Sequence, residues 1–310
     1  MNMKPVLSLC IPTNGIIEWV FPVLNSIYSE NCNTDEFEVV VTDNGNNNSF
    51  EDAMEDYARK HSNLIYKKTN AIMFENQIEA FKIARGDLIK FINHRMKLLP
   101  GTVNYLVGFA KEYQITMPPV YFSNGVLHMK QKVKECHCFD EYVRTLSYWS
   151  SWSAGTAIWK KAFDQIDLSK KFNALFPHTD IVFSEKNEDL YVVDNTKLME
   201  ELPTDNTKKG NYDLFYAFAV EYPSIVENLM IAGYISKDTF KNVKQKNGYF
   251  VSELYLNYVI KKKPCSYNLD GFSTSIGKYY NRIETYIYAM IIEVKNIIKR
   301  FIGRMIYCGI

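Results

Sequence analysis

Asn93, His94 and Arg95 end a short apolar stretch, Leu88 to Ile92, and are suited to holding an anion rather than a cation. A guanidinium makes a bidentate, permanently charged contact to phosphate. An asparagine carbonyl is a weak ligand for a hard divalent ion, and an arginine is none. Lys97 adds a second cation two residues on. A second group is Phe176-Pro177-His178-Thr179-Asp180, in which Asp180 and His178 are both candidates for a general base. The imidazole has its ordinary pKa nearer neutrality, and Asp180 has the alternative task of capping a helix that begins near Ile181. Tyr148 to Trp159 contributes Trp149, Trp152 and Trp159 around a small-residue turn, Ser153 to Thr156. Trp149 and Trp152 could stack on sugar faces or fill a core, and Gly155 with Thr156 would let a ligand approach the backbone closely. Cys136, His137 and Cys138, with His128, match no common zinc spacing and lie among Lys130, Lys132 and Lys134.

Elements must position these groups, and the pattern supplies them in alternation. Val6 to Ile11 reads as a buried strand ended by the Pro12 to Gly15 turn. Ile16 to Tyr28 is a helix carrying Pro22, and Phe37 to Val41 a second strand. Its Thr42 to Ser49 loop holds Asp43, whose side chain can shape the turn, and Ser49 is placed to cap the next helix. Leu64 to Lys67 is the third strand, Glu75 to Arg85 a helix stopped at Gly86, and Leu88 to Ile92 the fourth strand. This β-α-β alternation predicts a mostly parallel sheet with ligands beyond the carboxyl ends of its strands. Val103 to Ala110 is a further helix, and Val120 to Phe122 and Leu190 to Asp194 are further strands. Beyond a polar linker near 204 to 212, Tyr212 to Tyr222, Ser224 to Ala232 and Gly248 to Lys261 read as helices.

The last helix, Tyr279 to Tyr307, carries an apolar stripe of Ile283, Ile287, Met290, Ile291, Val294, Ile298, Phe301, Ile302 and Met305. Lys295, Lys299, Arg300 and Arg304 add a basic end, so the helix suits an anionic membrane interface or packing on its own domain. Glu293 and these cations exclude a spanning segment. With 36 basic and 35 acidic residues in 310, no global field points to nucleic acid. Val6 to Ile11 is too short for a signal-peptide core, and the six cysteines are not framework-spaced, so a cytosolic protein with reduced thiols is expected.

Three stretches in this order resemble the N-terminal half of the family-2 glycosyltransferases, bacterial enzymes of capsule, O-antigen or teichoic-type glycans. LSLCIPTNG is similar to that family's opening strand and Pro-Thr turn, without the usual aromatic after the threonine. VVVTDNGNNNS resembles its Asp-Asn-Gly-Ser loop, and NQIEAFKIARGDLIKFINHRMKLLPG its helix, strand and metal loop. SAGTAIWKKAF and FPHTDIVF match more loosely. The resemblance implies an α/β GT-A fold over residues 1–203, divided into a nucleotide-binding half, 1–101, and an acceptor half, 102–203. Residues 212–310 would form a helical C-terminal subdomain.

For single residues, the resemblance implies that Asp43 accepts from the imide N–H of a pyrimidine base flanked by Pro12 and Thr13. Asn76 would reach the ribose or a phosphate. The family's Asp-x-Asp metal pair is replaced by Asn93 and Arg95, so Mg2+ or Mn2+ is doubtful, and Arg95 with His94 and Lys97 would take the diphosphate. Asp180 matches the family's base, with His178 orienting it, and Trp152, Gly155 and Thr156 would face the acceptor. The expected function is inverting transfer from a nucleoside-diphosphate sugar to a lipid-linked oligosaccharide. The enzyme would be peripheral at the inner face of the cell membrane through residues 279–310. A catalytically inactive relative that binds or scaffolds is the alternative.

Overall fold

The computed structural model describes residues 4–203 and 210–307, the side chains of 301–307 excepted. The chain packs as two compact units, Met1–Pro203 and Thr204–Ile310. Part of the expected linker near 204 to 212 therefore lies outside the described residues.

In the first unit, β1 (Leu7–Thr13), α1 (Ile17–Tyr28), β2 (Phe37–Asp43), α2 (Asn48–Ala58), β3 (Leu64–Lys68), α3 (Asn76–Ile83) and β4 (Leu88–Phe91) alternate as expected. They are followed by β5 (Met96–Leu98), α4 (Thr102–Glu112), β6 (Val120–Phe122), β7 (Val133–Cys136), α5 (Phe139–Leu146) and β8 (Ala157–Trp159). α6 (Lys160–Phe163), α7 (Pro177–Val182), β9 (Tyr191–Asp194) and β10 (Met199–Glu201) complete the unit. The main sheet runs β3-β2-β1-β4-β8, with the first four strands parallel and β8 antiparallel to β4. The register pairs Thr13 with Asp43 and Asp43 with Lys68, so these strand ends form one rim. A second sheet orders β6-β9-β7, and β10 pairs with β5.

Strand periodicity explains the two cores. Leu7, Leu9 and Ile11 of β1 and Phe37, Val39 and Val41 of β2 face α1, α2 and α4, while Cys10 and Val40 face the other way against α3, Phe163 and Ile181. A sheet covered on both faces gives near-continuous apolar strands, as these are.

Several local expectations change. α2 is capped by Asn47, whose side chain accepts from the Phe50 amide, not by Ser49. Gly86 is no left-handed helix stop: a Cβ there would lie 2.6 Å from the Leu7 carbonyl carbon and the Ser8 nitrogen, so the residue is fixed by close backbone approach. The buried Glu38 locks the same turn, accepting from Ser8 Oγ (2.6 Å), Arg85 Nε (2.8 Å) and the Gly86 amide (3.3 Å). α7 begins at Pro177, four residues before the expected start, because proline suits the first helical position.

In the second unit, α8 (Leu214–Tyr216) leads through a π-helical turn into α9 (Tyr222–Ile231), then α10 (Lys237–Leu254), α11 (Phe272–Ser275) and α12 (Arg282–Tyr307). α10 starts at the Ser236 cap, well before the expected Gly248, and continues through a π-helical stretch to Ile260. α12 buries Thr285, Ala289 and Ile292, and leaves Ile283, Ile287, Ile291, Val294 and Ile298 on its exposed side. The side chains of Phe301, Ile302, Arg304 and Met305 lie outside the described residues. No helix among the described residues is long and apolar enough to cross a membrane. Cys10, Cys32, Cys136, Cys138 and Cys265 are free.

Candidate active site

The parallel strands bring their carboxyl ends together, and polar side chains brace that rim. Asn76, at the start of α3, donates through Nδ2 to the carbonyls of Thr13 (3.1 Å) and Thr42 (2.9 Å) and accepts from Thr69 Oγ1 (2.8 Å). It is buried, and its hydrogen bonds tie strand ends rather than reach outward. Asp43 is fully buried. Its Oδ1 accepts from the Gly45 amide (2.7 Å), and its Oδ2 from Tyr66 Oη and Lys68 Nζ (both 3.0 Å). A base N–H would reach this buried carboxylate only if the side chains covering it moved aside. Gly45 fits here because a Cβ would sit 2.1 Å from the Asn14 carbonyl oxygen.

Thr13 Oγ1 accepts from the Gly15 amide (3.2 Å) and pairs with His94 Nδ1 (2.9 Å), which joins the β1 and β4 ends. Pro12 is half-buried beside it. Burial, with the Arg95 charge alongside, pushes the His94 imidazole down to about 3, so it is neutral near pH 7. Its ring meets Trp19 edge-on at 5.1 Å.

Arg95 is placed by its neighbours. Its amide donates to Asn93 Oδ1 (3.0 Å), its carbonyl accepts from Leu202, and its guanidinium lies 5.4 Å from the Trp19 ring centroid. Nε and Nη1 have no hydrogen-bond partner among the described residues, although both atoms are buried. Such donors are costly unless something accepts from them. Lys97 is not beside them in role, since it pairs with Glu200 across the β5–β10 ladder (2.8 Å).

This donor set does not fit a divalent cation. Arg95 repels one, Asn93 spends its carbonyl on the Arg95 amide, and His94 Nδ1 is taken by Thr13. No group of three or more His, Cys, Asp or Glu able to hold a metal occurs among the described residues, the Cys136 to Cys138 stretch included.

The residues expected to face an acceptor lie past the carboxyl end of β4, because β8 runs antiparallel to it and residues 149–156 precede β8. The small residues at 155 and 156 do not open the backbone to a ligand. A Cβ on Gly155 would fall 2.0 Å from Tyr121 Cζ, so the glycine makes room for that ring. Thr156 is fully buried, its carbonyl held by the Phe91 amide (3.0 Å). Trp149 and Trp152 are half-buried and meet edge to face at 6.1 Å, with Tyr148 stacked on Trp149.

His178 Nε2 lies 2.8 Å from the Ser151 carbonyl, which fixes the proton on Nε2 and leaves Nδ1 buried without a partner. Burial pushes this imidazole down to about 4. Asp180 is half-buried within α7, and its Oδ2 accepts from the Asn173 amide (2.6 Å). It does not cap its own helix. Its charge acts on Lys186, opposing the lowering of that ammonium by burial.

Sequence reasoning missed Trp19, Tyr66, Lys68, Lys90 and Tyr121. Lys67-Lys68 at a strand end was a readable signal, because a cation beside Asp43 is expected once β3 pairs with β2. Tyr121 and Lys90 gave none, since a buried hydroxyl or ammonium declares itself only through partners distant in sequence.

Residues 8–174 match the family described as Glycosyl transferase family 2. No curated protein matches the chain. Among solved structures, S. aureus TarS 1–349 in complex with UDP-GlcNAc is 15% identical with a TM-score of 0.54, over 83% of this chain and 76% of that one. A longer S. aureus TarS structure gives a TM-score of 0.53 at 15% identity over 83% of this chain, which spans only 46% of that one. The mannosyltransferase PcManGT from Pyrobaculum calidifontis, in complex with GDP-Man and Mn2+, is 16% identical over 95% of this chain and 87% of its own, with a TM-score of 0.48. The TarS likenesses show the fold, an α/β GT-A-like sheet with C-terminal helices.

Proposed function

The chain belongs to glycosyl transferase family 2, and from that premise we propose that it moves a sugar from a nucleoside-diphosphate sugar to a hydroxyl of a lipid-linked cell-surface glycan, with inversion. The observation that carries the reading is Arg95. Its guanidinium stands at the end of β4 with two unspent N–H donors, where the family's carboxylates would hold a metal. A guanidinium is suited to a departing diphosphate, because it offers charge and fork geometry; Nε and Nη1 must be uncovered for a phosphate oxygen to reach them. Asn93 flanks this end, while Asp43, Asn76, Thr13 and His94 fix the shape of the rim, with Pro12 beside them and Lys68 at the far strand, β3, paired with Asp43.

Asp180 serves as the base. It takes the proton of the acceptor hydroxyl as that oxygen attacks the anomeric carbon, and the bond to the nucleoside diphosphate breaks on the opposite face. His178, neutral and turned to Ser151, positions the loop rather than the proton. Trp149 and Trp152 offer apolar faces to the acceptor sugar.

The partner surface we assign to α12 is an anionic membrane interface. Its exposed side carries Ile283, 71% exposed, and Val294, 55% exposed, in one stripe with Ile287, Ile291 and Ile298. At 100° per residue, Lys295 lies beside that stripe, while Lys299, Arg282 and Arg300 fall nearer the buried side, so only their long stems could bring those charges towards headgroups. On this reading the enzyme works at the inner face of the membrane.

A second reading, a catalytically inactive relative that binds or scaffolds, is favoured by the hydrogen bonds that already engage Asp43 and Asn76. Thermal-shift titration with UDP, dTDP, GDP and CDP, with and without Mn2+, tests the donor assignment. A shift from at least one diphosphate without metal supports it, and no shift under either condition sinks it.

A further inference from the structure

The loop 149–156 has its carbonyl oxygens held by buried side chains from three separate elements. Tyr121 of β6 places its hydroxyl against the Trp149 and Trp152 carbonyls. Thr179 of α7 donates to Ser150 (3.0 Å), and His178 pairs with Ser151. Lys90 of β4 donates through Nζ to Ala154 and Thr156 in the loop and to Phe91 in its own strand.

Lys90 is the costly member of this set. It is fully buried at the middle of the sheet between Leu9 and Ala157, over the Phe122 ring, with no carboxylate among its hydrogen-bond partners. A hydrocarbon side chain of the same volume would fill the space at lower cost, because an ammonium loses its hydration there. What the ammonium adds is three directed donors, and each of its three carbonyl acceptors lies at the junction of the donor strand and the aromatic loop.

We propose that Lys90 is a positioning residue that fixes the acceptor loop, with Trp149 and Trp152, at a set distance from the strand end bearing Arg95. This rests on the reading of that loop as the acceptor face. Burial of the ammonium pushes it down to about 7, which fits a group retained for its bonds rather than for stability.

Lys90→Met keeps the volume and removes the donors. Three readouts follow in the full chain: melting temperature, hydrogen exchange of amides 149–156, and the partition of a turned-over nucleotide sugar between water and an octyl glycoside. Expected, whatever the change in melting temperature, are exchange in 149–156 faster by about tenfold and a partition shifted towards hydrolysis by about fivefold. Unchanged exchange in the loop together with an unchanged partition overturns the proposal. A purely structural lysine would lower the melting temperature without moving the partition, which also overturns it. Should the methionine variant fail to fold, Lys90→Gln, which keeps two donors and no charge, carries the same readouts. A wild type without any donor turnover defeats the transferase reading instead, while the exchange result still decides the role of Lys90.

Discussion

On the proposed reading an arginine at the β4 end takes the place of a metal pair, and its value is set by what it has not yet bonded. Nε and Nη1 of Arg95 are buried without a partner among the described residues, and a charged hydrogen bond made to them would contribute about 1.5–3 kcal/mol. Arg95→Gln should therefore weaken nucleoside-diphosphate affinity by about 10- to 100-fold in calorimetric titration. An affinity equal to wild type removes Arg95 from the site. Asp180→Asn should leave that affinity intact and lower transfer by about 100-fold or more, the usual range for losing a general base. Near-normal turnover would show that the proton leaves elsewhere. Arg95 and Asp180 could be named as candidates because their types and their places after a strand and within FPHTD restrict the chemistry they can do. The bonding of Asp43 was not legible, since Tyr66 and Lys68 reach it only through the β2–β3 register.

Elements are fixed by close approaches that a one-dimensional pattern shows only in part. The α/β order of the first hundred residues was readable from apolar runs and turns. β5, β7, β8 and β10 were not, because strands of three or four residues carry too little periodicity. Gly86→Ala should cost about 1–3 kcal/mol in denaturant unfolding, since its Cβ must displace β1 backbone. A stability unchanged from wild type would mean that β1 yields freely. α7 holds a buried neutral imidazole, with a sign that can be worked out. Unfolded, His178 binds a proton below about 6.5, and folded only below about 4. Its contribution is present above pH 6.5 and is lost as pH falls towards 4, by about 3 kcal/mol. Glu185, whose carboxyl burial and then Glu188 push up to about 7, acts in the opposite sense between its ordinary value and 7. Comparing unfolding of wild type and His178→Gln from pH 7 to 4 isolates the histidine: the wild type should lose stability that the variant keeps, and parallel curves would contradict it.

For the whole molecule, each unit presents one partner surface. On the proposed reading the first offers a strand-end rim to a nucleotide sugar, and the second an exposed apolar helix face with Lys295 beside it. Ile287→Glu with Val294→Glu should reduce partition onto phosphatidylglycerol vesicles by about tenfold or more, with salt weakening the wild type's binding. Equal partition of the two proteins would assign the stripe to another partner. The sequence showed the stripe but not which side of α12 is covered, because both sides are apolar and only the α10 contact decides. The most direct test of the functional reading is nucleotide-sugar turnover by the full chain in excess EDTA. Wild type should retain its rate, and Arg95→Gln should lose it with or without added Mn2+. Abolition of wild-type turnover by EDTA, with full recovery on adding Mn2+, would contradict the assignment of the diphosphate to arginine.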